Sequence, residues 1–331
     1  METKPRRYVR EFADGDDVDE VFLISEKQLR TNRNGNLYLQ VRLADRTGSI
    51  VGMLWNASQD QYDAIAQADY ARARGKSQVY NGGLQLILKS LATVDPQRID
   101  SSDFTRLGSA AIDRLGTQLA ERLRSMRNYH LRNLAECFLS DEAFMSQLRS
   151  APAGVKNHHA YHGGLLEHVV SLVNVVSAVA PLYPQLDPDL LTMGALVHDI
   201  GKIEELCYEP ELGYTDAGQL IGHLVLGIGI LDSKIRQAES LAGEPFPAEM
   251  ALQLKHMIVS HHGQYEFGSP KLPMSREAIA LHLLDTLDAR LHHIDQLIDE
   301  DVNTASAWTV YHPALGRKIY KGPRDDSSPP P

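Results

Sequence analysis

The apolar residues of this chain change period once. Over residues 19–94 they alternate with polar residues, the two-residue repeat of a half-buried strand; over residues 101–298 they recur at the 3.6-residue repeat of a helix. One layer cannot satisfy both repeats, so the chain is multidomain, an all-β N-terminal domain followed by an all-α C-terminal domain. At 331 residues, with 43% hydrophobic side chains, it has the length and the apolar content for two cores.

In the first part, "NLYLQVRLA" turns Leu37, Leu39, Val41 and Leu43 to one face and Tyr38, Gln40 and Arg42 to the other. Asn34-Gly35 before it and "DRTGS" after it are turn sequences, giving a meander with "VFLISEKQLR" and "SIVGMLW". A short amphipathic helix over 58–70 follows, then two strands joined at "NGG", residues 81–83. Three strands, a helix and two strands is the order of a five-stranded OB barrel, here over residues 16–98 behind an N-terminal arm, 1–15. The rest divides into a helical connector (99–156), a helical domain (157–302) and a partly disordered C-terminal tail (303–331), whose "RDDSSPPP" is too polar and proline-rich to pack. Helices are expected over 113–139, 165–180, 188–199, 218–240, 247–260 and 275–298.

Charge and cysteine content narrow the chemistry. The formal net charge is −10, and the first hundred residues are balanced, so the acidic excess falls entirely on the helical part. Neutralising a phosphate backbone needs a basic surface, which leaves only a local patch on the barrel for nucleic acid. The two cysteines, Cys137 and Cys207, sit in unrelated contexts and suggest neither a disulfide framework nor a thiolate metal site. Any metal is therefore held by imidazole and carboxylate. The N-terminus is charged where a signal peptide is apolar, and no apolar run reaches membrane-spanning length, the richest being interrupted by Glu167, His168 and Asn174. A cytoplasmic protein with no membrane partner is expected.

Several polar residues interrupt otherwise apolar helices. His168 lies within 165–180, where alone it reads as a hydrogen-bonded core histidine. His198-Asp199 close a helix in "LVHDIGK", with Gly201 expected to let the chain turn away. His223 stands in "IGHLVLG", His261-His262 end a helix before Gly263, and Asp285 lies among leucines in "ALHLLDTLDARL". Each by itself is explained as a cap, an ion pair or a solvated residue. Together they come from the two side-chain types that bind divalent metals through nitrogen or oxygen, and clustering at a metal is the economical explanation. His130, His256, His282, His292, His293 and His312 read as surface or packing residues, and Asp288 as an exposed helix charge or ion pair.

Residues 157–290 resemble the HD superfamily of metal-dependent phosphohydrolases, through "HGGLLEH", "HDIGK", "IGH", "SHHG", "EFGSPKLP" and "LLDTLDA". An OB barrel ahead of such a domain resembles the YhaM family of bacterial 3'-to-5' exoribonucleases over nearly the whole chain. Two features depart from the pattern: Leu284 precedes Asp285 where the family has a small residue, and His162 is an added histidine before the double glycine. The resemblance implies that His168, His198, Asp199 and Asp285 hold one ion, and that Asp199 bridges to a second held by His223, His261 and His262. Two divalent ions are implied, from among Mn, Mg, Fe and Co. Asp199 and Lys202 are the catalytic candidates, the Lys202 ammonium meeting a non-bridging phosphate oxygen as charge develops; a solvated lysine is the other reading. His159 and His162 are candidates for substrate contact.

On the barrel, Tyr38 and Arg42 share the polar face and Trp55 closes the next strand, with Arg33 close by in sequence. Arg30, Arg46, Arg72, Arg74 and Lys76 are also near. Stacking aromatics beside a basic groove capture single strands, although ordinary solvated barrel residues look the same in sequence. The expected function is a metal-dependent 3'-5' exoribonuclease that hydrolyses single-stranded RNA, with single-stranded DNA as a further substrate, to nucleoside 5'-monophosphates. The alternatives are an HD-type nucleotide or cyclic-dinucleotide phosphodiesterase, and a non-catalytic nucleic-acid-binding module. The oligomeric state is not legible.

Overall fold

The computed structural model describes residues 5–80, 83–104, 107–154, 161–207, 213–299, 301 and 306–323. Its contacts divide into two compact units, Met1–Arg106 with Ile294–Pro331, and Leu107–His293.

The first unit is built on a closed five-stranded barrel of β1 (Asp17–Thr31), β2 (Leu37–Asp45), β3 (Gly48–Trp55), β4 (Tyr70–Tyr80) and β5 (Gly83–Thr93), with α1 (Gln59–Ile65) between β3 and β4. The order around it is β1-β2-β3-β5-β4; β3 and β5 pair in parallel and the other neighbours antiparallel. The alternation in sequence is the alternation in space, with Leu39, Val41 and Leu43 buried beside Phe22, Ile24 and Leu86. Leu37, at the strand's end, is instead exposed. Helix α1 is shorter than expected. Ser58 caps it by accepting from the Gln61 amide, and the chain from Tyr70 onward has the alternation of a strand. β1 slips register between Ser25 and Gln28, where Glu26 takes a left-handed φ of 49°, a bulge that bends the strand. The expected turn at residues 81 and 82 lies outside the described residues.

Part of the N-terminal arm is tied to the barrel: the Val9 amide donates to Asp45 at 2.6 Å and the Tyr8 hydroxyl to Asp103 at 2.7 Å. Residues 306–323, expected within the tail, belong to this unit, with bridges Trp308–Tyr320 and His312–Arg317. The "RDDSSPPP" segment lies outside the described residues.

The second unit comprises α2 (Ser109–Arg124), α3 (Tyr129–Leu139), α4 (Glu142–Ser150), α5 (Gly164–Val179), α6 (Pro188–Val197), α7 (Lys202–Glu205), α8 (Asp216–Leu220), α9 (His223–Ala242), α10 (Ala248–Ser260) and α11 (Arg276–Asp299), whose last turn counts with the first unit. A two-residue hairpin, β6 (Leu206–Cys207) with β7 (Gly213–Tyr214), interrupts the helices. Two expected helices are each divided. The 113–139 helix breaks after Arg124 and restarts where the Asn128 side chain accepts from the Leu131 amide. The 218–240 helix breaks at Gly222, whose φ of 79° no helix can hold.

Leu119 and Leu123 of α2, Leu134 and Phe138 of α3 and Leu148 of α4, all within the expected connector, share one core with α5, α6, α9 and α10. By length and hydropathy the Gly164–Leu182 stretch could cross a membrane, contrary to the sequence expectation; half of it is buried within this unit. Leu165, Val169, Leu172 and Val176 pack there, and His168 is carried inward with them.

Candidate metal centre

Five helices deliver polar groups to one place in the helical unit. His168 comes from the middle of α5; His198 caps the C-terminus of α6, with Asp199 next to it; His223 opens α9; His261 caps α10, followed by His262; Asp285 comes from α11. His168, His198, Asp199 and His261 are buried in the core. Gly201 makes the junction possible in a way the sequence reading did not foresee. Its φ of −63° is right-handed, so it is no special turn residue; an added Cβ would sit 1.9 Å from the His223 carbonyl oxygen. Glycine is needed because the chain after Asp199 presses against the first turn of α9. Gly263 meets both demands, with a φ of 78° and the His282 ring filling the place of a Cβ.

The histidines share one orientation. The Nδ1 atoms of His198, His261 and His262 face the carbonyl oxygens of Ala195 (2.9 Å), Ile258 (2.8 Å) and Phe267 (2.9 Å). The Nδ1 of His168 faces Asp288 at 2.9 Å, and that of His223 faces Glu205 at 3.0 Å. Carbonyls and carboxylates only accept, so each Nδ1 carries a proton, and Nε2 is the atom each ring would offer to a metal. Three sets of ligand atoms lie mutually within 4.8 Å: His168, His198 and Asp285; His198, Asp199 and His261; His223, His261 and His262. Asp199 stands between the outer two. Its Oδ1 is 3.4 Å from His261 Nε2 and 3.5 Å from His223 Nε2, and its Oδ2 is 3.4 Å from His198 Nε2.

These residues fit divalent cations. The Nε2 atoms of His168 and His198 face each other at 3.2 Å, an approach that a shared proton or a cation between them satisfies. Asp199 Oδ1 and His223 Nε2 are buried with no hydrogen-bond partner, which is the signature of a missing ligand in a polar cluster. Burial alone would lower the His168 pKa, but Asp285 and Asp288, one on each ring nitrogen, raise it to about 9. Burial would raise Asp199, yet Lys202 and His198 hold its carboxyl well below the usual carboxylate range. His262 is pushed down to about 4 by burial and by the neighbouring His261.

Lys202 is half-buried and donates to Asp199 Oδ2 at 2.6 Å; it is not the solvated lysine of the alternative reading. Two residues were missed. Asp288, read as an exposed charge or an ion pair, is buried and paired with His168, and it also accepts from the Ser171 hydroxyl. Glu205 accepts from both the backbone and the ring of His223 at 3.0 Å, an arrangement that fixes a ligating histidine. Asp288 stands three residues after Asp285, a helical neighbour on the same face, which is a signal that was available. Glu205 offered none, since its partner is on another helix.

His159 lies outside the described residues. His162 lines a cleft between α2 and α4 in which none of the clustered residues takes part. On the barrel, Tyr38 and Trp55 are register partners across β2 and β3, with ring centroids 5.1 Å apart, and Trp55 is 45% exposed. Arg33 is exposed in the β1–β2 turn. The charge beside the pair is partly engaged: Arg42 pairs with Glu26 at 3.1 Å and bonds Ser49, while Arg72 and Arg74 both pair with Asp19. The bulge that turns Glu26 out is what neutralises Arg42. The aromatic pair remains an open stacking surface, but much of the charge beside it is spent within the barrel.

Residues 165–290 match the HD domain family, a metal-dependent domain, and residues 23–94 match an OB-fold nucleic acid binding domain family. The 3'-5' exoribonuclease YhaM of Geobacillus sp. (strain WCH70) is 32% identical over 86% of this chain and 86% of its own length. The 3'-5' exoribonuclease YhaM of Bacillus velezensis is 33% identical over 86% and 88%. With the protein of that name from Bacillus subtilis (strain 168) the identity is 33% over 86% of this chain and 88% of the relative, and at that level of likeness, with both domains matched, this chain belongs to the YhaM family.

Proposed function

We propose that this protein is a metal-dependent 3'-5' exoribonuclease that shortens single-stranded RNA, with single-stranded DNA as a further substrate, to nucleoside 5'-monophosphates. The observation that carries the reading is Asp199, whose two carboxylate oxygens face two separate groups of Nε2 lone pairs. On this reading two divalent ions are held, one by His168, His198 and Asp285 and one by His223, His261 and His262, with Asp199 shared. When bound, such ions acidify water and neutralise the charge on phosphodiester oxygens. Asp288 and Glu205 hold the His168 and His223 rings so that the lone pairs stay aimed. Lys202 carries a positive charge to the edge of the site, where it stabilises a non-bridging phosphate oxygen as negative charge develops. Tyr38 and Trp55 offer a stacking surface for unpaired bases, consistent with substrates that have a single-stranded end.

The test is digestion of 5'-labelled and 3'-labelled single-stranded RNA by the purified protein, with and without manganese. A 3' label should leave at once as mononucleotide and a 5' label should report progressive shortening, both stopped by chelator. Internal fragments, or cleavage of a cyclic dinucleotide in preference to RNA, would overturn the reading.

A further inference from the structure

A cleft of about 590 Å³ opens between α2 and α4 of the helical unit, and none of the clustered metal-ligand candidates lines it. Its distinctive residue is Arg149, in the last turn of α4. The Arg149 Nε is buried without a hydrogen-bond partner, and among the described residues the guanidinium makes no ion pair. A buried donor left unpaired costs about 1–3 kcal/mol, and such groups nearly always have an acceptor. Gly116 on α2 explains how the fork lies where it does: a Cβ there would come within 3.1 Å of Nη2 and 3.2 Å of Nε. The other arginine on the lining, Arg124, is already engaged with Glu136 through two bonds of 2.8 and 3.2 Å.

The acceptor that fits a free guanidinium fork is an anion with two or more oxygens in a plane. Ser146, Ser150 and His162 stand on the same lining and supply further donors. Asp113 and Glu142 also line the cleft; they would repel a bare anion and need a ligand that brings hydroxyl or amine donors of its own. A phosphate joined to a sugar and a base meets both requirements, and the volume suits a molecule of that size.

We propose that this cleft is a nucleoside 5'-monophosphate site, separate from the metal centre, with the phosphate on Arg149 and the sugar or base donors on Asp113 and Glu142. The phosphate follows from the cleft itself; the choice of nucleoside rests on the exonuclease reading, of which the mononucleotide is the product.

The test is calorimetric titration of the full-length protein, treated with chelator, with adenosine 5'-monophosphate, inorganic phosphate and adenosine in separate arms. One mononucleotide should bind per chain, phosphate should compete, and adenosine should bind weakly. Arg149→Gln should weaken mononucleotide binding about tenfold or more, the loss of a charge-assisted pair, and Arg149→Lys should recover part of it. Arg149→Gln should not lower the unfolding temperature, because it removes a buried donor that has no partner. Asp199→Ala should bind the mononucleotide as the parent does. Binding that vanishes with chelator or in Asp199→Ala, or that is untouched by Arg149→Gln, overturns the proposal; so does no binding at millimolar concentration. Equal affinity for phosphate and mononucleotide overturns the nucleoside part. RNA digestion run in parallel separates the two readings: failure to degrade RNA with the mononucleotide still bound strikes the nuclease assignment alone.

Discussion

Lys202 and Glu205 both belong to the same short turn of helix, yet they act on the centre in different ways. Lys202 donates to Asp199 and, on the proposed reading, faces the place where phosphate charge develops. Lys202→Ala is therefore expected to lower kcat about a hundredfold with little change in KM or metal content. Lys202→Arg should restore only part, since a planar guanidinium does not replace a compact ammonium. Single-turnover RNA hydrolysis with metal analysis checks this, and a parent rate in the alanine variant would make the lysine a bystander. Glu205 touches no substrate and acts through His223. Glu205→Ala should weaken metal binding roughly 10–100-fold, while Glu205→Gln, which keeps an acceptor for the ring, should fall between. Equilibrium dialysis against manganese reads the difference. At this scale the candidate ligands were legible because imidazoles and carboxylates stand out against apolar helices. Their supports were not: Glu205 looks like any helix charge, and the Ala195 and Ile258 carbonyls that fix two rings have no side-chain signature.

Between elements, the most informative contact is the one joining α4 to α9. Lys234 is buried on α9, donating to the Cys137 carbonyl at 2.8 Å and to Asp141 at 2.6 Å, and Asp141 also caps α4 through the Phe144 amide. Lys234 holds the Asp141 carboxyl below its usual range. A depressed carboxylate pKa stabilises the fold above its unfolded value and loses that contribution as pH falls through the folded one. Asp141→Asn keeps the cap but removes the charge. It should cost about 1–3 kcal/mol near neutral pH and flatten the acid limb of stability below about pH 4. Lys234→Met should be close to neutral, because it removes the buried charge along with its need for a partner. Thermal unfolding from pH 3 to 7 tests both, and a parent-like acid limb in Asp141→Asn would refute the assignment. The sequence showed these helices but not their breaks: "SMRN" carries no glycine or proline, and only Asn128, a capping residue, marks the restart. Gly222 was visible but stood inside the helix expected over 218–240.

Over the whole molecule, the single change of period located the two folds. The finer boundaries were less legible, because residues 107–154 carry the same helical repeat whether they bridge two domains or build one core. A fragment of residues 107–299 keeps that core and all of α11. It is expected to fold, bind metal and cleave a small phosphodiester, but to lose efficiency on long RNA. In the full chain, Tyr38→Ala with Trp55→Ala should reproduce part of that loss, and unchanged kinetics on long RNA in both would give the barrel another task. The order of the ligands along the chain, from His168 to Asp285, also has a meaning in time. Chains grow from the N-terminus and domains fold as they emerge. The barrel strands end at Thr93, whereas Asp285 is made well after them. Ribosome-bound chains halted before Asp285 should retain labelled RNA without shortening it, and degradation by such chains would contradict this. A nuclease assembled in this order becomes able to cut only after the message that encodes it has been read past the codon for Asp285, long after its barrel can hold RNA.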